Sequence, residues 1–363
     1  MHDLSMVSAL LLIFVVLFDT FETIILPRRI RRRVRITTVV YRITWLPWAA
    51  LAHRMKNPAR RESFLSFYGP LALLFLLFVW AVGLVVGFGL MQWGLGSHVV
   101  DALSTHPNFG SDLYMSGTTF FTLGLGDVAP RTGPERFATV VESGVGFAFL
   151  AVVIGYLPIL YQAFSRREVN VALLDARAGS PPTGVELVRR LGAEDGAKML
   201  TQILGEWEHW SSELLESHLS YPSLGYFRSQ HENQSWIAAL TTILDACALV
   251  MTGLEGVPRQ QARLTFAMAR HAAVDLSQVF EADIKRESRR EWLSDEDFEN
   301  LRALLRANGL ALAEGPAAEA KLAHLRGLYE PYVSAIADRL LTPLPPWLPV
   351  AGARDDWQTS PDE

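Results

Sequence analysis

The chain has 363 residues, 50% of them hydrophobic, and a mean hydropathy of +0.18. These values are high for a soluble protein and low for an entirely membrane-embedded one, which favours a membrane part joined to a soluble part. A single cysteine, Cys247, excludes an internal disulfide framework and a multi-cysteine metal site. The net charge is −5, yet arginines cluster between Pro27 and Arg61, beside an apolar run. Because the positive-inside rule accounts for that cluster, we expect no nucleic-acid binding.

An N-terminal transmembrane helix is predicted over residues 1–26, because the apolar run over residues 4–26 is long enough to span a bilayer. A cleaved signal peptide is the alternative, but the run lacks a basic start and a small-residue cleavage site. Arginines follow the run at once, which places its C-terminal end in the cytoplasm and the N-terminus outside. Their side chains are also candidates for binding anionic lipid headgroups. They are Arg28, Arg29, Arg31, Arg32, Arg33 and Arg35.

Residues 27–63 are predicted to form a basic cytoplasmic or interfacial segment. Within it, residues 36–55 are apolar in patches but carry Arg42 and a central Pro47. An amphipathic segment on the cytoplasmic surface of the membrane fits this pattern. A second span is the alternative, and it would place the arginines that follow it outside, against the charge rule.

Residues 64–167 contain two further membrane-length runs around a short polar segment. The predicted elements are an outer helix over residues 64–91, a short re-entrant helix over 111–121, a polar turn over 122–127 and an inner helix over 134–165. In the outer helix, Gly83, Gly87 and Gly89 offer small faces for close helix packing. Three spans with the N-terminus outside place every arginine cluster inside, so this topology satisfies the charge rule.

The polar segment ends in Thr-Leu-Gly-Leu-Gly-Asp over residues 122–127. Non-helical backbone at membrane depth is tolerated only where it is buried in protein or lines a cavity. Gly124 and Gly126 adopt a positive φ at little cost, which allows successive carbonyl groups to point at one axis. The C-terminal end of the preceding helix over residues 111–121 points there too, and the negative end of its dipole favours a cation. The segment therefore predicts a cation pore, with residues 111–121 as the pore helix.

These six residues resemble the selectivity filter of the potassium-channel superfamily, whose usual form is Thr-Val-Gly-Tyr-Gly-Asp. The resemblance covers about residues 66–167, and the chain looks like a prokaryotic channel of the two-transmembrane, single-pore-loop type with an added N-terminal helix. It implies an all-α membrane fold, a homotetramer in the inner membrane of a prokaryote, and passive conduction with no cofactor and no enzymatic activity. It also implies that the conducting residues are Thr122, Leu123, Gly124, Leu125 and Gly126, that potassium binds at the first four, and that Asp127 lies at the outer mouth.

The filter departs from the usual form at its centre, where Leu125 stands in place of tyrosine. The family's tyrosine is held by hydrogen bonds to pore-helix aromatics, and the corresponding positions here are Tyr114 and Met115. Apolar packing is therefore expected in place of a hydrogen-bonded support. Some two-pore potassium channels also carry leucine at this place, so the sequence leaves potassium selectivity open.

A second departure is Thr118, where some relatives carry a glutamate behind the filter. Glu142, in the inner helix, is predicted to supply a carboxyl from the other side, because an ionisable residue within a span is a functional hypothesis by default. We expect it to bond pore-helix groups such as Ser116 or Thr119 and so to support the filter. A lipid-headgroup or loop contact is the alternative for this side chain.

The gate is predicted from positions in the inner helix. The resemblance places Gly146 at the family's gating-hinge glycine, and Pro158 would kink the inner end of the helix. Phe147, Leu150 and Ile154 are then expected to line the cavity or the gate. A plain packing face is the alternative for these side chains.

A helical cytoplasmic domain is predicted over residues 168–341, followed by a flexible tail over residues 342–363. The stretch 179–184 is expected to be a linker, because it is rich in Gly, Ser and Pro. The nucleotide-binding domain common in prokaryotic potassium channels needs Gly-x-Gly-x-x-Gly in a βαβ unit, and the sequence has neither. Glu206 and His209 have the spacing of a metal-bundle motif, but such sites need several contributions. Helical patterns occur over residues 194–219, 235–254, 259–280, 295–307 and 316–341.

The sequence therefore predicts a homotetrameric potassium channel, gated by the inner helix and modulated by the helical domain. A cation channel of weak selectivity is one alternative, because Leu125 removes the filter's usual support. A non-conducting membrane sensor that uses the pore fold as a scaffold is another. No spaced arginines occur within a predicted span, so the sequence indicates no voltage sensor.

Overall fold

The computed structural model describes residues 2–26, 35–101, 108–192, 196–230, 234–254, 257, 259–284, 293–350 and 352. Its helices are α1 (His2–Thr20), α2 (Ile36–Arg54), α3 (Pro58–Ser66), α4 (Tyr68–Gly94), α5 (Phe109–Phe120), α6 (Gly133–Ala178), α7 (Gly184–Gly192), α8 (Gly196–Ser220), α9 (Trp236–Gly253), α10 (Arg259–Val279), α11 (Asp295–Arg306), α12 (Pro316–Gly327) and α13 (Glu330–Leu340). A π-helical turn (Phe21–Ile25) continues α1, and a 3-10 helix (Pro222–Tyr226) follows α8. Two short strands, β1 (Val99–Asp101) and β2 (Val128–Pro130), pair antiparallel. The predicted all-α fold is confirmed.

The chain divides into two compact units. The first, called the membrane unit, comprises Met1–Arg54 and Phe67–Tyr161. The second, called the helical unit, comprises Met55–Ser66 and Gln162–Glu363. The predicted outer helix is therefore two helices, because its first residues belong to α3 and only α4 lies in the membrane unit.

Among the described residues, four helical segments are long and apolar enough to cross a membrane: His2–Ile25, Pro58–Gly94, Gly133–Ala178 and Trp236–Gly253. The first three correspond to the three predicted spans. The fourth is α9, of which 94% is buried inside the protein, so its apolar surface already has partners. α2 is not among these segments, which is consistent with the interfacial prediction for residues 36–55.

In the membrane unit, α1 packs closely along α4 through glycines. A Cβ added at Gly83 would lie 2.9 Å from the Val16 side chain, and one at Gly87 would lie 2.6 Å from Ile13. Gly89 instead faces Leu113 of α5, 3.3 Å from the position of an added Cβ. The expectation that these glycines offer small packing faces is confirmed, and it explains how an extra helix fits beside the outer helix.

Asp19, at the C-terminal end of α1, joins three helices. Its Oδ2 accepts the indole N–H of Trp80 in α4 at 2.9 Å and the backbone N–H of Thr37 in α2 at 3.1 Å. Arg35 lies 3.6 Å from Asp19 and 3.5 Å from Glu22, so one arginine of the basic run pairs with these carboxylates. The remaining arginines of the proposed lipid site, at positions 28, 29, 31, 32 and 33, lie outside the described residues.

The helical unit is built around α9, which contacts α7, α8, α10, α12 and α13. Leu240, Ile243 and Leu244 of α9 are fully buried, as expected for a helix that is apolar on all its faces. The approach of α7 depends on Gly184, where an added Cβ would lie 2.6 Å from the backbone nitrogen of Ala246. Hydrophobic burial around one central helix therefore organises this unit.

The prediction of a linker over residues 179–184 is wrong. Ser180, Pro182 and Thr183 are buried, and the Pro182 carbonyl accepts a hydrogen bond from the Thr242 hydroxyl of α9 at 3.1 Å. The composition of the segment suits turns as well as flexible linkers, and here the turn packs on the central helix.

Three predicted boundaries also change. α6 continues past residue 165 to Ala178, because Arg167, Val171 and Leu174 give its end a buried face at helical spacing. The helix predicted over residues 316–341 is α12 and α13, since Pro331 has no N–H with which to continue α12. The predicted flexible tail begins with side chains that are packed: Thr342 and Trp347 are buried, whereas residues 353–363 lie outside the described residues.

Candidate functional site

The polar segment of the membrane unit begins with α5, the predicted pore helix. Asn108 caps this helix, because its Oδ1 accepts the backbone N–H of Gly110 at 2.8 Å. Asp112 lies in the first turn, where a negative charge suits the positive end of the helix dipole. The helix ends at Phe120, so its negative end leads directly into residues 122–127.

The backbone of that segment alternates between left-handed and other conformations. Thr122 has a φ of 58°, Gly124 of 55° and Gly126 of 77°, whereas Leu123 and Leu125 between them do not have positive φ. This alternation, with a period of two, turns successive carbonyl oxygens toward the same side of the chain. The sequence predicted the two glycines, but it did not predict the left-handed Thr122, which is unusual for a β-branched residue.

The first amides of the segment are fixed to the end of α5. The N–H of Thr122 donates to Thr119 O at 3.0 Å, and the N–H of Leu123 donates to Thr118 O at 2.7 Å. The N–H of Gly124 reaches the same Thr118 carbonyl at 3.3 Å. These bonds satisfy carbonyls that a helix end leaves free. Thr118 therefore supports the segment through its backbone, while its hydroxyl bonds Met115 O at 3.0 Å.

Tyr114 fixes the other end of the segment. Its hydroxyl donates to Asp127 Oδ2 at 2.9 Å, so α5 holds residues 122–127 at both ends. The sequence proposed Tyr114 as a support, but through Leu125. Leu125 is 64% exposed and Met115 is fully buried, so the expected apolar packing of these two side chains is not made within one chain.

Glu142 of α6 lies behind α5 and is fully buried. One carboxyl oxygen is hydrogen-bonded to the Ser116 hydroxyl, which also lies 2.7 Å from Val85 O of α4. The predicted contact with Ser116 is therefore present, and a lipid-headgroup contact is excluded by burial. The second carboxyl oxygen of Glu142 has no hydrogen-bond partner among the described residues.

Residues 72–163 match a family model described as an ion channel. The chain carries an ion-channel domain. It is also similar to the uncharacterized membrane protein YdjJ of Bacillus subtilis (strain 168), with 24% identity over 191 residues, which cover 52% of this chain and 55% of the relative. The chain therefore spans about half the length of that relative. No solved structure matches the chain.

A polar cluster at the start of α6 escaped the sequence analysis. Glu135, in the first turn of α6, is fully buried and accepts backbone N–H groups from His98 at 2.8 Å and Thr132 at 3.0 Å. His98 precedes β1 and Thr132 follows β2, so one carboxylate holds both strands at the same end of the β1–β2 pair, where Val99 pairs with Pro130. An acidic residue just after Gly133 and a proline is a helix-start signal, and this signal indicated its capping role.

The predicted gate residues lie along one exposed side of α6. Phe147, Leu150 and Ile154 are exposed in the single chain, which fits a face that lines a cavity or meets another copy. Gly146 packs where α6 meets the end of α5, since an added Cβ would collide with the carbonyl of Phe120. α6 continues as one helix through Pro158.

Among the described residues, no group of three His, Cys, Asp or Glu side chains is placed to hold a metal ion. Of the Glu206 and His209 pair, His209 lies 3.4 Å from Glu213, and Glu206 accepts a hydrogen bond from Gln202 at 3.1 Å. These are ordinary pairs one helical turn apart.

Proposed function

We propose that this protein is a homotetrameric potassium channel, which conducts ions passively through the backbone carbonyls of residues 122–125. It lies in the inner membrane of a prokaryote, with its N-terminus outside and the helical unit in the cytoplasm. The observation that carries the proposal is the alternating φ of Thr122, Gly124 and Gly126, combined with amides tied back to α5.

Each part of the segment has a task in conduction. Carbonyl oxygens on one side of the chain replace the water shell of a cation, and the Thr122 hydroxyl adds the innermost ligand. The negative end of the α5 dipole stabilises a cation on the inner side. Asp127, held by Tyr114, places a carboxylate at the outer mouth, where it raises the local concentration of cations.

The tetramer follows from what one chain lacks. A single chain supplies one strand of a filter, and Leu123 and Leu125 stand 63% and 64% exposed beside it. Exposed leucines on both sides of a polar backbone are expected where neighbouring copies complete the structure. Four copies around one axis surround an ion with carbonyls and give Phe147, Leu150 and Ile154 a shared cavity to line.

The inner helix is the proposed gate, with Gly146 and Pro158 as the places where it bends. The helical unit modulates this gate. Anionic lipids bind the arginine run, where each arginine near a charged membrane surface adds about 1 kcal/mol.

The test is a current measurement on the purified protein in planar bilayers. With potassium and sodium gradients opposed, a potassium channel reverses near the potassium equilibrium potential. A tetramer that carries no current across voltage, pH and calcium would contradict the proposal and support a non-conducting membrane sensor.

A cation channel of weak selectivity is the second candidate, and the exposed Leu125 favours it. No hydroxyl from the centre of the segment bonds α5 in this chain, so the size of the ion site is less firmly fixed. This function predicts a reversal potential near zero under opposed gradients. It also predicts that Leu125→Tyr shifts the reversal potential toward potassium, whereas Leu123→Val leaves it unchanged.

A further inference from the structure

The end of α6 carries a buried arginine. Arg167 is 4% exposed, and its guanidinium donates to the carbonyl oxygens of Leu224 at 2.9 Å and Phe227 at 2.7 Å. Its Nε pairs with Glu168 at 2.8 Å. A buried charge is costly unless it is paired and hydrogen-bonded, so these acceptors fix the position of Arg167.

His218 of α8 completes this site. Its Nδ1 lies 2.8 Å from Leu214 O and therefore carries the proton, which leaves Nε2 as an acceptor 3.4 Å from Arg167 Nη1. Burial lowers the pKa of His218 to about 3, and the charge of Arg167 acts in the same direction. The ring is neutral near pH 7, as an acceptor for a guanidinium must be.

A second arginine lies one residue after Phe227 and reaches a different helix. Arg228 Nη1 is 3.3 Å from Glu62 of α3 and donates to Thr342 Oγ1 at 2.6 Å. Its Nη2 donates to the carbonyl of Leu340 at the end of α13. Arg228 therefore holds α3, the helix that leads into the outer helix, against the end of the chain's last helix.

The segment between these contacts is firmly packed. Ser223, Leu224, Gly225 and Tyr226 are buried. Phe280, directly after α10, lies so close to Gly225 that any side chain there would collide with it, and its ring meets Tyr226 edge-on at 6.2 Å. A segment with buried backbone and tight ring contacts moves as one body, because protein interiors transmit strain.

We propose that residues 222–228, called the connector, are the element through which the helical unit sets the open-to-closed ratio of the pore. This inference rests on the proposed channel function. Arg167 and Arg228 act as positioning residues: the first fixes the end of α6, which is the inner helix, and the second fixes α3, which directly precedes the outer helix α4. One seven-residue segment thus binds both α3 and α6, which lie before and after the filter loop along the chain.

The physical basis is that the connector couples the positions of α3 and the end of α6. Because the connector holds both helices by hydrogen bonds and ion pairs, a displacement of α8 or α10 moves the end of α6 and α3 together. A ligand or partner that shifts the helical unit would bias the pore only through differential contacts in its two states. Breaking the contacts of either Arg167 or Arg228 leaves the pore intact and weakens the effect of the helical unit on the open-to-closed ratio.

The experiment measures single-channel currents of the full tetramer in planar bilayers. Glu62→Gln removes the charge opposite Arg228, and we expect about a two- to fivefold change in the open-to-closed ratio, as for a partly exposed ion pair. Arg228→Lys should change it in the same direction, and the double variant should change it no more than the larger single change. Unitary conductance and reversal potential stay as in the unmodified protein, which a role in the filter would not allow.

Arg167→Lys tests the contacts of Arg167, because lysine keeps the charge but loses the planar guanidinium group that donates to two carbonyls. We expect a larger change in the open-to-closed ratio, about tenfold, since this group is buried. Arg60→Gln on α3 and Arg166→Lys on α6 are the controls, because both side chains are exposed. Size-exclusion chromatography of each variant excludes loss of the tetramer as the cause.

The outcomes separate the two proposals. An unmodified tetramer that carries no current overturns the channel function itself. If the unmodified tetramer conducts and the variants have the same open-to-closed ratio, the connector proposal is overturned and the channel function stands. These variants are Glu62→Gln, Arg228→Lys and Arg167→Lys.

Discussion

α6 and α9 are both long and apolar enough to cross a membrane, yet 17% of the apolar stretch of α6 is buried and 94% of α9 is. The composition of a helix therefore indicates how much apolar surface the helix has, but it does not indicate which atoms cover that surface. In α9 the cover is the rest of the helical unit. In the proposed channel, the atoms that cover α6 belong to lipid and to other copies of the chain.

The same difference separates the two units in the kind of residue that matters. In the helical unit, stability depends on side chains inside a closed core. In the membrane unit, the central feature is backbone that faces outward, and the chain supports it from one side only. Substitutions in the core of the helical unit should therefore lower the stability of the protein, whereas substitutions in the outward-facing backbone segment should change conduction.

The largest effect is expected at Gly124. Gly124→Ala forces alanine into a left-handed conformation at about 1–2 kcal/mol per chain, or roughly 4–8 kcal/mol over four copies, and should abolish conduction. Gly144→Ala in α6 is the control, because both positions offer open space to a Cβ and only Gly124 has a positive φ. Single-channel recording checks both, and currents of unchanged size from Gly124→Ala would contradict the proposed filter.

The comparison of the two helices is tested by one substitution made in each. Leu244→Ala in α9 should destabilise the helical unit by about 2–5 kcal/mol, because it leaves a cavity in a closed core. Leu150→Ala, at an exposed position of α6, should change the unfolding of the chain by less than about 0.5 kcal/mol. Thermal denaturation of the full chain in detergent measures both. Equal losses would break the comparison.

The support behind α5 is tested by Ser116→Ala, which leaves the buried Glu142 carboxyl without the Ser116 hydroxyl. We expect a loss of about 1–3 kcal/mol, the cost of an unsatisfied buried polar group. Adding Glu142→Leu should restore part of the stability, since removing both partners is nearly neutral. Thermal denaturation and conductance follow both variants, and a double variant less stable than Ser116→Ala would show that Glu142 stabilises by another route.

The smallest effect concerns pH and the helical unit. The pKa of His218 is lowered from its ordinary value of 6.5 to about 3, so between these pH values only the unfolded chain binds the proton. Stability should therefore fall as pH falls below about 6, by up to about 1.4 kcal/mol per pH unit. His218→Gln should remove this slope, while His209→Asn, at an exposed position, should keep it. Denaturation at pH 7, 6 and 5 measures the slopes.

Much of the membrane unit could be predicted from the sequence, because its signals are local. Apolar runs predicted three spans, and the positive φ of Gly124 and Gly126 followed from their place in a polar loop. The contact of Glu142 with Ser116 was also expected. Thr122 in a left-handed conformation and the double use of the Thr118 carbonyl were not, because both arise only when the loop closes on the end of α5.

The helical unit was less predictable in its connections than in its helices. Residues 179–184 have the composition of a linker, and only packing on α9 decides that they are buried. Arg167 and Arg228, which hold the connector in place, follow charged or aromatic neighbours that look like surface residues in sequence. Their backbone carbonyl acceptors lie 57 to 112 positions away, which no local pattern reveals.

Thr122 gives the filter a further property. A β-branched residue with a φ of 58° is strained by about 1–2 kcal/mol, and such a conformation persists only where its surroundings offset the cost. In the proposed channel, the ion bound to its carbonyl and hydroxyl provides that compensation. Potassium is then a structural ligand as well as the cargo, and the melting temperature of the assembled protein should rise with potassium concentration.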